Sequence, residues 1–427
     1  MGKYTVLDDP RVDEYIDNFL KRVVEALLEN VSGVRSIILA GGFGKGEGSV
    51  VVDAEGVRPK RDFDIVLVFE DKPPPVESTK NLQEKLQNEF STFKAHDKYY
   101  LINDLIPEIK PTTLENINSL PDIFTYDLKH CQVLYGEDIR SQIQWDIKDL
   151  PLRTNARALL QKATALVGVF HGSYLNEGIP IHLKESFLRE TSRAYIEICV
   201  GLCLLAKRYH WSSVNRLETL REIYRKRFAN LYEKIPDLIE KIEASTRFKL
   251  DPANNVIDVD PLNYWFETRD DLGEVLKYYF GEYLNISFYN WIQFANSLER
   301  HLTNAYYLPV IQAFLRNRSL PENRSIVKIV NIIFNVKENI DYSRTAIKAG
   351  RLSLPLLRGT SSPAIKVLSV TPLVLFSINE DGSVDSEYLG VASRRLEFVK
   401  RRINNSGYTW DKTRSKFLEL VFSVNMI

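Results

Sequence analysis

The sequence predicts an α+β protein, in which a small head with a mixed β-sheet flanked by helices precedes a large, mostly α-helical body. Over about the first 140 residues, short apolar runs bounded by turn residues alternate with segments of helical periodicity. From residue 152 onward the apolar spacing is helical over long segments. The chain has 427 residues, 44% of them hydrophobic, which is enough to form the cores of two or three domains.

The predicted elements of the head follow one another closely. We expect a helix at 9–30, a strand at 34–40, a hairpin at 49–58, a strand at 63–69, a helix at 76–93 and an extended segment at 99–113. Pro107 and Pro111 indicate an edge or interrupted strand in the last of these, because proline cannot donate to a sheet ladder.

The body is predicted to be helical with two exceptions. Helices are expected at 156–174, 183–209, 214–232, 264–315, 325–339, 393–404 and 413–422. Residues 234–261 read as a polar linker or exposed insertion, and 374–378 as a short strand. We therefore expect three domains, at 1–145, 146–235 and 236–427, the second of which would close a cleft over the head.

Composition limits the classes of function. The 56 basic and 56 acidic side chains cancel, so the whole molecule has no electrostatic attraction to nucleic acid or anionic membrane. Cys131, Cys199 and Cys203 lack the spacing of a zinc site and are expected to be buried thiols. The first residues do not resemble a signal peptide and no segment resembles a membrane span, which predicts a cytoplasmic protein.

A glycine cluster follows the first predicted strand, with glycine at positions 41, 42, 44, 46 and 48. Glycines allow backbone N–H groups to approach phosphate oxygens, so such a loop can hold an anion, and Lys45, Lys60 and Arg61 would add positive charge. A P-loop is excluded because Lys45 is followed by Gly46, and the spacing fits no dinucleotide-binding G-x-G-x-x-G pattern.

Asp62 and Asp64 stand at the head of the second predicted strand. Because they alternate with Phe63 and Ile65, both carboxylates are expected on one face, roughly 7 Å apart at Cα. Carboxylates at this separation suit Mg²⁺, which shares its coordination with waters and phosphate oxygens. We expect two such ions together with a nucleoside triphosphate, whose phosphates would bind at Gly41 and Gly42.

This arrangement resembles the DNA polymerase β type nucleotidyltransferases, in which a Gly-[Gly/Ser] turn precedes Asp-hydrophobic-Asp-hydrophobic at the next strand. The segment 133–136 is similar to the end of the head in minimal and aminoglycoside-type members, and the resemblance extends over about half of the chain. Two features depart from it: Gly42 replaces the common serine, and nineteen residues separate Gly42 from Asp62, an excess that the predicted hairpin explains.

The resemblance implies a third carboxylate from a later strand that completes the metal site and acts on the proton of the nucleophile. Glu108 is the first candidate and Asp104 the alternative. It also implies transfer of a nucleoside monophosphate to a hydroxyl of a small molecule, a sugar or a protein, with release of pyrophosphate. Nucleic acid is the least favoured acceptor because the chain has no net positive charge.

Several alternatives stay open from the sequence. Glu47 could order the loop, and Lys184, Glu185 and Arg189 could contact the nucleotide or simply form a solvated helix face. The head could also sense nucleotide without transferring it, as part of an antitoxin-like interaction protein whose aromatic body binds another chain. The aromatic residues of 264–291 are more typical of a core than of an interface. The Arg and His spacing of the body does not fit HEPN ribonucleases.

Overall fold

The computed structural model describes residues 2–54, 56–90, 107–305, 308, 311, 312, 315, 323–348, 361–396 and 409–423. The chain forms two compact units. The first combines Met1–Asn155 with Tyr195–Asp258, and the second combines Ala156–Ala194 with Val259–Ile427. The division into three domains expected from the sequence stays a prediction.

Helices make up most of both units. In chain order the first eight are α1 (Pro10–Asn30), α2 (Gly41–Gly44), α3 (Val76–Phe90), α4 (Leu114–Ile117), α5 (Ile123–Asp127), α6 (Leu152–Val169), α7 (Tyr174–Glu177) and α8 (Ile181–Leu205). The others are α9 (Ser213–Arg227), α10 (Ala229–Tyr232), α11 (Leu238–Leu250), α12 (Pro261–Leu284), α13 (Trp291–Ala305), α14 (Arg324–Lys348), α15 (Pro363–Leu375), α16 (Ser386–Leu396) and α17 (Trp410–Ser423).

A four-stranded mixed sheet forms the centre of the first unit. The strands of the unit, in this sheet and in a separate hairpin, are β1 (Val34–Leu39), β2 (Val50–Asp53), β3 (Gly56–Pro59), β4 (Phe63–Phe69), β5 (Pro107–Thr113) and β6 (Gln132–Gly136). The sheet has the order β5-β4-β1-β6; β5 runs parallel to β4, and β1 is antiparallel to both of its neighbours. The strands β2 and β3 form a separate hairpin. The predicted mixed sheet, the hairpin and the edge position of the proline-containing strand are confirmed.

The two faces of this sheet are both apolar. On one face, alternate residues of β4 such as Phe63, Ile65 and Leu67 pack with α1 and α3 in one hydrophobic core. On the other face, Val66 and Val68 pack in a second core. Asp64 shares the face of Val66 and Val68 by the two-residue alternation of a strand, so it is a polar position at the end of an apolar face.

The second unit is helical. Its aromatic segment is mainly core, as expected: Trp265 and Phe280 are fully buried, whereas Tyr289 is 86% exposed. The predicted strand at 374–378 is wrong over its first two residues, because α15 continues to Leu375, and Ile378 forms an isolated antiparallel β-bridge with Val384. A short run that is mainly apolar lacks the periodicity that separates a buried helix from a buried strand.

Two further expectations can be compared with the described residues. The polar stretch 234–261 contains the helix α11, so the prediction of a linker is wrong there; Leu238, Ile242 and Phe248 recur at helical spacing and are buried. Cys131, Cys199 and Cys203 are buried free thiols, as predicted. Of the helices in the described ranges, none combines the length and the apolar character needed to cross a membrane.

Candidate functional site

Two of the three predicted acids lie side by side on the four-stranded sheet. Asp64 on β4 and Glu108 on β5 are direct partners in the parallel register of these strands. Partners on neighbouring strands project to the same face, with backbones about 4.8 Å apart. Asp62 lies one residue before the start of β4 and is half-buried. The structure therefore brings Glu108 to Asp64, while Asp104 lies outside the described residues.

The ammonium group of Lys110 lies between these carboxylates. Its Nζ is 2.8 Å from Asp64 Oδ1 and 3.6 Å from Glu108 Oε1. Burial acts to lower the pKa of Lys110, but the attraction of the two carboxylates outweighs burial and raises the pKa above its ordinary value. The side chains of Asp64 and Glu108 are 26% and 56% exposed, so a ligand from solvent can reach both.

The donor chemistry of Asp62, Asp64 and Glu108 fits a hard divalent cation, because carboxylate oxygens are the ligands that Mg²⁺ prefers. As the side chains stand, the described part of the chain contains no group of three or more His, Cys, Asp or Glu residues arranged to hold a metal. An ammonium and a metal ion cannot share the space between Asp64 and Glu108. Binding of Mg²⁺ there consequently requires Lys110 to turn away.

The glycine cluster begins with the helical turn α2, which lies against Asp64. The backbone N–H of Ala40 donates to the carbonyl oxygen of Asp64 at 2.7 Å. Gly41 has φ +64°, in the left-handed region that favours glycine, and a Cβ there would overlap Asp64 Oδ2. Glycine at position 41 thus keeps open the space beside a carboxylate oxygen of the candidate site.

Other glycines of the cluster are required by packing. A Cβ on Gly44 would overlap the carbonyl oxygen of Leu39, and a Cβ on Gly48 would overlap the ring of Phe43. These two positions are glycine because chain and ring approach closely there. Part of the glycine pattern therefore reflects the packing of the loop, and Gly41 is the position where it bears on the carboxylates.

Lys45, expected to face a phosphate, points into a buried ion pair. Its Nζ is 2.6 Å from Asp127 Oδ2 and donates to the carbonyl oxygen of Trp211 at 3.3 Å. The side chains of Lys45 and Asp127 are 12% and 13% exposed, and Tyr209 donates its hydroxyl to the same carboxylate at 3.0 Å. Arg61, the other predicted phosphate-binding cation, is half-buried.

Glu47 is the most deeply buried acid of the loop, at 1% exposure. Its carboxylate accepts hydrogen bonds from Ser212 Oγ at 2.7 Å and from the backbone N–H of Ser213 at 2.8 and 2.9 Å. Burial acts to raise the pKa of Glu47, but the Lys249 charge and these hydrogen bonds outweigh it and hold the pKa below its ordinary value. The hydrogen bonds and charged neighbours of this buried acid thus favour its ionised form.

Two basic side chains, Arg216 and Lys249, lie around this carboxylate. Arg216 is 4% exposed and donates to the carbonyl oxygen of Trp211 at 2.9 Å and to Ser213 Oγ at 3.0 Å. Lys249 Nζ donates to the same Ser213 Oγ at 3.0 Å. Burial lowers the pKa of Lys249 to about 7, against the attraction of Glu47, and the neighbouring cations add to that shift. The loop thus borders a buried network of charges.

Sequence reasoning did not find this network. Its members Asp127, Tyr209, Arg216 and Lys249 are separated from Lys45 by 82 residues or more, and no spacing rule connects them. The available signal was a charged residue on the apolar face of a helix, as Arg216 is beside Leu217 and Leu220 on α9. Lys184, Glu185 and Arg189 lie on the part of α8 that belongs to the second unit.

Comparison of the sequence with protein-family models finds no match, and the search of curated proteins finds none either.

Proposed function

We propose that the protein is a Mg²⁺-dependent nucleotidyltransferase that transfers a nucleoside monophosphate from a nucleoside triphosphate to a hydroxyl group and releases pyrophosphate. The observation that carries this proposal is the in-register pair Asp64 and Glu108 beside Gly41, where the absence of a Cβ leaves space at Asp64 Oδ2. A carboxylate pair next to an open glycine turn can hold a cation and a phosphate chain together.

The residues have distinct roles in this proposal. Asp62, Asp64 and Glu108 would hold Mg²⁺, which when bound supplies positive charge to the phosphate oxygens. Backbone N–H groups of the turn at Gly41 and Gly42 would bind the phosphates, and Lys110 would leave Asp64 for an oxygen of the nucleotide or for solvent.

The reaction would proceed by in-line attack of an acceptor hydroxyl oxygen on the α-phosphorus. A new P–O bond forms to the acceptor, and the bond between the α-phosphorus and the bridging oxygen breaks, so that pyrophosphate leaves with the electron pair. The acceptor proton passes to Glu108, which lies in register with Asp64 and is more exposed.

A small molecule, a sugar or a protein is the preferred class of acceptor. The chain has equal numbers of basic and acidic side chains. Phosphate contacts from a basic surface supply most of the non-specific affinity for nucleic acid, and the net charge gives no sign of such a surface.

A second candidate is a protein that binds nucleotide without transferring it. The observation that favours it is Lys110, whose single ammonium lies near both Asp64 and Glu108 and offsets one of their two negative charges. If Lys110 stays in place, the cluster binds phosphate through the ammonium and the turn, and no metal joins the acids. Such a head would sense nucleotide as part of an interaction protein.

The test is incubation of the protein with each α-labelled nucleoside triphosphate, Mg²⁺ and a metabolite or protein extract. We expect label transfer by the wild type and a loss of about 100-fold or more in the Asp62→Asn/Asp64→Asn variant. The matched control is Asp138→Asn, which removes another exposed Asp from an ion pair, here with Arg140. Undiminished transfer in the double variant contradicts the proposal; nucleotide binding without transfer in the wild type supports the second candidate.

A further inference from the structure

The loop that carries the glycine turn is closed on itself at Glu47. The backbone N–H of Glu47 donates to the carbonyl oxygen of Gly42 at 2.8 Å, and a Cβ on Gly42 would lie 3.0 Å from the carbonyl oxygen of Glu47. The beginning and the end of the loop are therefore in direct contact. A displacement of Glu47 displaces the backbone of Gly42 with it.

The side chain of Glu47 ties this loop to the first turn of α9. One carboxylate accepts three hydrogen bonds, from Ser212 Oγ and twice from the backbone N–H of Ser213. A carboxylate at a helix N-terminus is further stabilised by the helix dipole, and hydrogen bonds to a charged acceptor are about twice as strong as neutral ones. Glu47 therefore caps a helix that begins more than 160 residues later in the chain.

The start of α9, which donates these hydrogen bonds to Glu47, is itself held in place by other side chains. Ser213 Oγ accepts hydrogen bonds from Arg216 Nη2 and Lys249 Nζ, both at 3.0 Å. Arg216 also donates to the carbonyl oxygens of His210 and Trp211, at 2.8 and 2.9 Å. The beginning of α9 is thus held by hydrogen bonds from two basic side chains and cannot follow the loop freely.

A second charged side chain of the loop, that of Lys45, also ties the loop to residues outside it. Lys45, two residues before Glu47, pairs with Asp127 and donates to the carbonyl oxygen of Trp211. Both charged side chains of the loop are therefore bonded to partners other than the three candidate acids. The opposite side of the turn is left to face Asp64 through Ala40 and Gly41.

We infer that Glu47 is a positioning residue, whose bond to the N-terminus of α9 fixes the backbone of Gly41 and Gly42 at Asp64. The kinetic consequence of this inference rests on the proposed function, because it assumes that a nucleotide binds at that turn. Its structural consequence does not, because loop order can be measured without substrate.

The test compares Glu47→Gln, which keeps the shape and removes the charge, with Glu137→Gln, which removes an exposed carboxylate bonded to Arg35. Amide hydrogen exchange of residues 41–48 and nucleotide turnover are measured at a temperature at which all the proteins are folded. In Glu47→Gln we expect exchange at 41–48 to accelerate about 10-fold while β1 and β4 exchange at the wild-type rate. We expect kcat to fall about 100-fold, more than KM rises, because misplacement by about 1 Å has such an effect.

The outcomes separate the inference from the proposed function. Wild-type exchange at 41–48 in folded Glu47→Gln overturns the inference, whatever the activity. A purely structural role for Glu47 predicts a lower melting temperature with unchanged kcat in the folded protein, which also overturns it. If the wild type shows no turnover, the proposed function fails and the exchange result still decides the role of Glu47. If Glu47→Gln does not fold, Glu47→Asp replaces it, since the charge is kept and the carboxylate reaches one methylene less far.

Discussion

Two clusters of charge border the same glycine turn, and they differ in their exposure to water. On the sheet side, Asp64 and Lys110 form an ion pair whose side chains are 26% and 38% exposed. On the side of α9, Lys45 and Asp127 form a pair whose side chains are 12% and 13% exposed. The ion-pair distances are similar, at 2.8 and 2.6 Å. Distance alone therefore does not separate the two clusters.

The difference in exposure indicates that the two ion pairs have different roles. A buried charge that loses its partner is costly, so the Lys45 and Asp127 pair resists rearrangement and suits a structural role. A partly exposed pair exchanges partners with water and ions at a lower cost. We therefore expect Asp64 to exchange Lys110 for another cation more readily than Asp127 exchanges Lys45. The turn is held on one side and open to ligands on the other.

The largest expected difference between the two ion pairs is the loss of stability when the lysine of each pair is removed. Lys45→Met leaves Asp127 nearly buried with Tyr209 as its donor, and we expect the free energy of unfolding to fall by about 3 kcal/mol. Lys110→Met leaves Asp64 accessible to water, and we expect a loss below about 1 kcal/mol. Urea unfolding of the two variants measures both. Equal losses would remove the distinction between the clusters.

A smaller effect is expected from pH. Burial lowers the pKa of Lys249 to about 7 from its ordinary value of 10.5, and the charges that act on it are those of Glu47, Arg216, Lys45 and Arg61. Between these two values the unfolded chain holds a proton that the folded protein has released. The free energy of unfolding should therefore rise with pH in this window, by at most about 1.4 kcal/mol per pH unit. Below about pH 7 Lys249 should contribute no dependence on pH.

Urea unfolding at about pH 7.5 and about pH 9 measures this rise. Lys249→Met should lose it, because no titratable group remains at that position. The exposed lysine Lys85, replaced in Lys85→Met, serves as the control and should keep the wild-type rise. An identical rise in wild type and Lys249→Met would show that Lys249 titrates normally and that the network is more hydrated than its contacts indicate.

The spacing of apolar, glycine and proline residues predicted the part of the candidate site that lies on the four-stranded sheet. The alternation around Asp64, the turn at Gly41 and the edge position of the strand with Pro107 and Pro111 depend on neighbouring residues, so sequence periodicity reveals them. The placement of Glu108 beside Asp64 required the resemblance to a known fold, because the register of two parallel strands is not encoded in either strand alone.

The other side of the turn could not be predicted. Lys45 and Glu47 read as phosphate-loop residues because their partners Asp127 and Ser213 are distant in sequence, and no local signal reveals such contacts. A different limitation explains the misassigned residues 374 and 375, which end α15 in an apolar run too short to show a helical period. The sequence pattern predicted which residues of a strand share a face. The contacts of Lys45 and Glu47 depend on tertiary packing, which the pattern does not contain.

The most direct test of the candidate site is the binding of Mn²⁺ with a non-hydrolysable nucleoside triphosphate, followed by electron paramagnetic resonance. Gly41→Ala and Gly33→Ala form a matched pair: both positions have positive φ, at +64° and +76°, but a Cβ would meet Asp64 only at Gly41, and nothing lies within 4 Å of one at Gly33. Both variants carry a similar backbone strain of about 1–2 kcal/mol, and circular dichroism confirms that each is folded.

We expect Gly41→Ala to weaken binding of the Mn²⁺–nucleotide complex about 100-fold, because the methyl group fills the space beside Asp64 Oδ2. Gly33→Ala should bind as the wild type does. Wild-type binding by folded Gly41→Ala would contradict the assignment of this turn and Asp64 as the nucleotide site.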